Sequence, residues 1–200
     1  TEVYLDKYKL RGLYNGSIIE EGYPRNDRLL NCPKEEIKSL LLKYGIELEK
    51  DKKVILYAPT WKGADYNKPE VNPDDYYNFK RELEEYIDTD KYQILLKPHQ
   101  VVYKELVKSG MFSNSLIPAF IDTNELLSIT DILISDYSSI FFDFLASNKP
   151  VLFYIPDLEE YKNYRGLYME PEKLPGPALT SVREIGNSIN NLEGVINKYK

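Results

Sequence analysis

The chain predicts an α/β fold in which a parallel sheet is covered by helices on both faces. Short apolar runs near Val54, Tyr92, Leu116, Ile132 and Val151 alternate with segments of helical periodicity, the order of successive β-α-β units. Three of these runs stop abruptly in polar residues, and the carboxyl edge of an open α/β sheet is where ligands bind. Two hundred residues with 42% hydrophobic content suffice for one main sheet and its core.

Residues 1–30 hold two glycine-rich breaks, Gly12 to Gly16 and Gly22 to Pro24, and no long periodic segment. They read as a connecting region. The start at Thr1 without a methionine leads us to expect a piece of a longer protein. Gly22-Tyr23-Pro24-Arg25-Asn26-Asp27 is dense in turn formers; it suits a solvated turn, with Arg25 and Arg28 available to an anion. After Pro33, Ile37, Leu40, Leu41 and Tyr44 mark one face of a helix ending at Gly45.

Val54 to Ala58 has the length and branching of a buried strand and breaks into Pro59-Thr60-Trp61-Lys62-Gly63. Thr60 and Trp61 are thereby expected at the ligand-binding edge; the alternative is an ordinary loop with Trp61 folded onto the core. Residues 66–74 are polar, with Pro69 and Pro73, and suggest a surface loop, followed by a helical stripe of Tyr76, Phe79, Leu83 and Tyr86. Tyr92 to Leu96 forms the next strand. Pro98 bars its continuation, so His99, the only histidine, emerges beside Lys97 at the same edge. There it suits phosphate binding or proton transfer as well as a plain surface role. Val102 to Ser109 fits a helix, Leu116 to Ile121 a short strand, and Asn124 to Ile129 a helix capped by Asp122 or Thr123.

The centre of the pattern is Asp131 to Phe144. Ile132 to Ile134 form a strand, Ile140, Phe141, Phe144 and Leu145 recur on one helix face, and Ser135 to Ser139 lie between them. A helix start leaves backbone N–H groups unpaired. Ser138 or Ser139 can cap it, and both hydroxyls can turn to a phosphate on the positive end of the helix. Phe141 or Phe142 stands where a capping box needs Glu or Gln. Val151 to Tyr154 completes the β-α-β unit. Residues 156–177 suggest a long irregular stretch over the sheet. Ser181-Val182-Arg183-Glu184 is a capping box, and Val182, Ile185, Ile189, Leu192 and Ile196 extend one helix face to the end.

Composition removes several alternatives. A net charge of −6 offers no overall field for nucleic acid or an anionic membrane. The single cysteine, Cys32, excludes an internal disulfide and a cysteine-based zinc site, and fits a reducing compartment. No run approaches the ~20 apolar residues that span a bilayer, and there is no signal-peptide pattern. With neither a GxGxxG nor a Walker loop, a phosphate here depends on serines and a helix end. No residue is assigned to a metal: Asp136 and Asp143 are given to local structure.

Taken as an ordered set, Gly22-Tyr23-Pro24-Arg25-Asn26-Asp27, Tyr57-Ala58-Pro59-Thr60-Trp61, Lys97-Pro98-His99, Ser135-Asp136-Tyr137-Ser138-Ser139 with Asp143, and Arg165-Gly166 followed by Pro175-Gly176-Pro177 resemble the CDP-glycerol glycerophosphotransferase family of teichoic-acid and capsule enzymes. The likeness runs from about residue 12 to residue 190. It implies a GT-B-like arrangement of two Rossmann-like lobes, with residues 31–200 as the nucleotide-donor lobe and residues 1–30 as a connection from an absent N-terminal lobe. By that resemblance His99, as the catalytic group, and Ser138 and Ser139 hold the donor pyrophosphate, with Thr60, Trp61 and Arg165 near it and Asp136 and Gly166 shaping the site.

The implied reaction transfers a polyol phosphate, glycerol phosphate first, from a CDP-polyol (CDP-glycerol or CDP-ribitol) to an acceptor hydroxyl of a polymer or lipid-linked chain, with CMP leaving. Helix N–H groups and a protonated His99 would neutralise charge. No cofactor is implied beyond the donor. The full-length protein is expected in the cytoplasm, peripheral at the inner membrane face, and as a homo-oligomer. The family's second histidine motif, His-Gly of the acceptor lobe, has no counterpart here, so the chain alone is expected to bind donor without turning over. Gln100 after His99 and Lys62 after Trp61 depart from the usual proline and arginine. The competing readings are the donor lobe of a nucleotide-sugar glycosyltransferase and a non-catalytic α/β module.

Overall fold

The computed structural model describes every residue except 1, 66, 67, 71, 111–113, 168 and 200. In chain order the main elements are α1 (Asn26–Asn31), α2 (Lys34–Lys43), β1 (Lys53–Tyr57), β2 (Lys62–Asp65), β3 (Lys68–Glu70), α3 (Pro73–Tyr86), β4 (Tyr92–Leu96), α4 (Gln100–Ser109), α5 (Thr123–Ile129), β5 (Ile132–Ser135), α6 (Ile140–Phe144), β6 (Val151–Tyr154), α7 (Leu158–Arg165), β7 (Ala178–Leu179), α8 (Val182–Asn190) and α9 (Leu192–Tyr199).

Five strands pair in parallel in the order β4-β1-β5-β6-β7, and β2 pairs with β3 in a separate antiparallel hairpin. The strand order reverses between β1 and β5. Crossovers leave that point to opposite sides and open a crevice at the carboxyl ends. Tyr57 is in register with both Leu96 and Ile134, so residues 58–60, 97–99 and 135–139 leave the sheet at one level.

Alternation along the strands divides the core in two. Val54 and Leu56 of β1 join Leu95, Leu133 and Phe153 against Ile37, Leu41, Leu126 and Phe144 of α2, α5 and α6. Ile55 and Tyr57 join Ile94, Ile134 and Leu152 against Phe79, Leu83, Leu106 and Ile185 of α3, α4 and α8. Both faces of the central strands are therefore dry, which is why they read as unbroken apolar runs. Local signals hold as expected at several helix starts. Asp122 Oδ1 accepts from Glu125 N at 3.0 Å, and Ser181 and Glu184 close a reciprocal capping box.

Several expectations need correction. Leu116 to Ile121 contributes a single bridge to Leu96 in place of a strand. Leu96 bonds to Ser115 and Ile117 on the edge of β4, and Pro118, with no N–H, cannot extend the ladder. The stretch 156–177 contains α7 and a 3-10 turn, Pro171–Lys173. The final helix is two, α8 and α9, parted at Asn191, whose φ of −115° and ψ of 41° leave the helical region. The turn expected within residues 22–27 is present at Pro24 and Arg25 but runs directly into α1, and β3 and the start of α3 lie within the supposed loop 66–74, of which Tyr66, Asn67 and Val71 fall outside the described residues. No helix among the described residues is long and apolar enough to cross a membrane.

Candidate functional site

A cavity of about 900 Å³ opens at the carboxyl edge of the sheet, at the reversal between β1 and β5. Of the residues expected there, Thr60, Trp61, His99, Asp136, Ser138, Ser139 and Gly166 all line it. Arg165 ends α7 one residue before Gly166, and its side chain lies outside the described set.

Asp136 ties the two central strand ends together. Both of its carboxylate oxygens lie 2.8 Å from the donating Thr60 N, and Oδ1 also accepts from Thr60 Oγ1 at 2.7 Å and Ser138 N at 3.2 Å. Burial raises this carboxyl to about 6, against the opposing pull of those hydrogen bonds. One residue earlier, Ser135 Oγ donates to Ala58 O at 3.0 Å and forms a second strap between β5 and the end of β1.

The serines meet the cavity but are weak caps. Ser138 Oγ accepts from Ile140 N only at 3.5 Å, and Ser139, at the N-cap position of α6, makes no side-chain cap bond. Their hydroxyls thus have little part in holding α6, contrary to the capping expected of them.

His99 Nδ1 accepts from Val101 N at 3.4 Å and caps α4. With Nδ1 an acceptor, the proton of the neutral ring sits on Nε2. Burial pushes the imidazole below its ordinary value. Without ligand, burial thus favours the neutral ring, and an adjacent anion would favour the protonated one expected in the reaction. The Trp61 ring lies 6.5 Å from that of His99, centroid to centroid.

Three cations that looked available are engaged within the protein. Lys97 Nζ donates to the carbonyls of Pro118, Ala119 and Ile121 at 3.2, 3.3 and 3.2 Å, and burial lowers it to about 8. Arg25 Nε donates to both oxygens of the buried Asp143, at 3.0 and 3.1 Å, and its guanidinium lies 4.3 Å from the Tyr23 ring centre. Arg28 pairs with Glu125. The arginines thereby fasten the segment around α1 onto α5 and α6.

Sequence reasoning missed the wall made by Tyr137 and Tyr161. Their rings stack at 3.5 Å, and Tyr137 OH donates to Asp157 Oδ1 at 3.0 Å. It also missed Asn124, buried on the cavity wall. No local pattern marks either. Among the described residues no group of three or more histidine, cysteine or acidic residues is placed to hold a metal.

The chain that carries this switch-point cavity matches a known family. The family model for CDP-Glycerol:Poly(glycerophosphate) glycerophosphotransferase covers residues 7–200. The chain belongs to this family. It is 37% identical over 200 residues to the teichoic acid poly(glycerol phosphate) polymerase of Bacillus subtilis (strain 168), with 96% of the chain and 25% of that relative covered. Among solved structures it is similar to the wall teichoic acid polymerase TagF, with a TM-score of 0.69 and 35% identity over 91% of the chain and 45% of that structure. A TagF variant soaked with CDPG matches at a TM-score of 0.68 and 34% identity, over 91% and 43%. The chain thus spans a quarter to under half of these glycerophosphotransferase-family relatives. The fold is the α/β, Rossmann-like class expected, one lobe of a GT-B-like architecture.

Proposed function

We propose that this chain is the donor-binding lobe of an enzyme that transfers glycerol phosphate from CDP-glycerol to an acceptor hydroxyl in teichoic-acid or capsule polymer synthesis. The observation that carries the reading is the juxtaposition of Thr60, His99, Ser138 and Ser139 around one cavity at the switch point of the sheet, in a chain of this family. A pyrophosphate needs positioned N–H and O–H donors and cations, with little covalent help. The backbone N–H of Ser139 and the hydroxyls of Ser138 and Ser139 supply donors, and the Nε2–H of His99 supplies another, becoming cationic when the pyrophosphate raises its pKa. Protonated, His99 then stabilises or protonates the departing CMP phosphate as the acceptor oxygen attacks the polyol-side phosphorus.

Thr60 and Trp61 flank this group, Arg165 adds a positive charge from the end of α7, and Gly166 shapes the wall. Asp136 shapes the turn that carries the serines. Residues 31–200 form the lobe and residues 1–30 its connection to an acceptor lobe, which supplies the general base and takes the growing chain. The chain alone binds donor without turnover, and the complete enzyme works as a homo-oligomer at the inner membrane face.

Calorimetric titration tests the reading. CDP-glycerol is expected to bind saturably, more tightly than CDP-ribitol, with affinity reduced in His99→Ala. Binding of UDP-N-acetylglucosamine in preference to CDP-glycerol would replace it with a glycosyltransferase donor lobe, and binding of neither to a folded chain would leave a non-catalytic module.

A further inference from the structure

α7 borders the cavity without a fully buried side chain among its described residues. Leu158 packs against the core and Tyr161 is half-buried, while Glu159, Glu160, Lys162 and Asn163 face solvent. Eight residues are too few for a helix to sustain itself in water, and the exposed pair of Lys162 with Glu170, at 3.5 Å, adds little. At its far end Gly166, with φ of 73° and ψ of 168°, occupies backbone that is essentially glycine's alone and lets the chain break away from the helix.

The helix is seated on Tyr137. Asp157 stands at the N-cap position, where an aspartate ordinarily accepts from the first turn, yet it makes no side-chain cap bond. Its Oδ1 accepts from Tyr137 OH at 3.0 Å, and one turn on, Tyr161 lays its ring on that of Tyr137 at 3.5 Å and 12°. Tyr137 belongs to the fixed side of the cavity. It packs against the core, and its sequence neighbours Asp136 and Ser138 are bonded to each other and, through Asp136, to Thr60. A hinged helix thus leans on a fixed post, and both line the cavity, Leu158 and Tyr161 from one side and Tyr137 and Ser138 from the other.

We propose that Tyr137 is a positioning residue that seats α7 as a lid, closing over the donor when the cavity fills. A ligand that touches both sides gains its α7 contacts only in the seated arrangement and so shifts the helix toward it. Closure keeps water, the competing hydroxyl, from the donor's phosphorus. The inference deepens the donor-lobe reading and rests on it.

Amide hydrogen exchange with and without saturating CDP-glycerol tests the lid, with calorimetry for affinity and thermal unfolding as the control. In the unchanged chain the amides of α7 are expected to exchange faster than those of β5 and to slow about tenfold when the donor binds. Tyr161→Ala, a truncation outside the core, should keep the unfolding midpoint, leave α7 exchanging fast in both states and weaken CDP-glycerol about tenfold. Tyr161→Phe, which keeps the stack, should restore the unchanged behaviour, and Tyr137→Leu should repeat the Tyr161→Ala result from the fixed side. Amides of α7 as slow as those of β5 in the free chain would overturn the lid in favour of a rigid wall. So would exchange that ignores bound donor, or that slows equally in Tyr161→Ala. If CDP-glycerol does not bind the unchanged chain at all, the donor-lobe reading falls and the lid with it.

Discussion

Thr60 and Asp136 join the ends of the two central strands: the backbone N–H and the hydroxyl of Thr60 both donate to one half-buried carboxylate, at 2.8 and 2.7 Å. Thr60→Val keeps the shape and loses the hydroxyl. A bond to a charged acceptor contributes about 1.5–3 kcal/mol, and urea unfolding should show a loss of that order, with Thr60→Ser close to the unchanged chain.

The same carboxyl sets a pH signature. Its folded value is about 6 against an ordinary 3.8, so the folded state holds the proton more tightly than the unfolded chain. The stabilisation it gives is fully present below the unfolded value and is lost as pH rises through about 6. Asp136→Asn should flatten that part of the stability profile between pH 4 and 6, measured by urea midpoints across the range.

Donor affinity should depend on pH through His99. Burial favours the neutral ring in the free protein, and protonation adds a positive charge beside the proposed pyrophosphate. CDP-glycerol should therefore bind more tightly as pH falls below the ordinary histidine value of about 6.5, and this slope should vanish in His99→Ala. A pH-independent affinity in the unchanged chain would reduce His99 to the cap of α4.

Lys97 has become a clamp on the loop 118–121. Lys97→Met should leave its three carbonyls short of donors and destabilise the fold by about 1–3 kcal/mol. Its folded value of about 8 lies below the ordinary 10.5. The unchanged chain should accordingly gain stability relative to Lys97→Met as pH rises from about 8 toward the unfolded value, which chemical denaturation at the two ends of that window would read.

Arg25→Ala should leave the buried Asp143 carboxylate without its two hydrogen bonds. The arginine side chain is 52% exposed, so a loss of about 1–2 kcal/mol is expected, toward the low end for charged hydrogen bonds. A double-mutant cycle with Asp143→Asn should return a coupling of at least about 0.5 kcal/mol.

The legible parts of the molecule were those whose signal is local. The runs at Val54, Tyr92, Ile132 and Val151 are buried on both faces and announce themselves by composition, as does the Ser181–Glu184 capping box. Proline and serine at strand ends marked the cavity edge. The expectations that failed depend on partners far along the chain. Arg25 finds Asp143 across 118 residues, and Lys97 finds backbone carbonyls 21 to 24 residues on, groups that any residue carries. α7 was hidden because Leu158 and Tyr161 leave it only a thin apolar stripe. Gly176 had a reason that only packing reveals: a Cβ there would lie 2.1 Å from the Val151 carbonyl oxygen.

The two sides of the cavity are held by different means. One side is the cut end of the sheet, where Thr60, Asp136 and Ser138 are fixed to strands that the whole core grips. The other, from Leu158 to Leu174, meets the first through the stacked rings of Tyr137 and Tyr161 and the bond from Tyr137 to Asp157. Insertions or exchanges in the second side can accordingly reshape what the cavity admits while the strand-end edge keeps its geometry. Related enzymes with different donors should diverge there first, in the way a lock is rekeyed by changing its pins and leaving the cylinder alone.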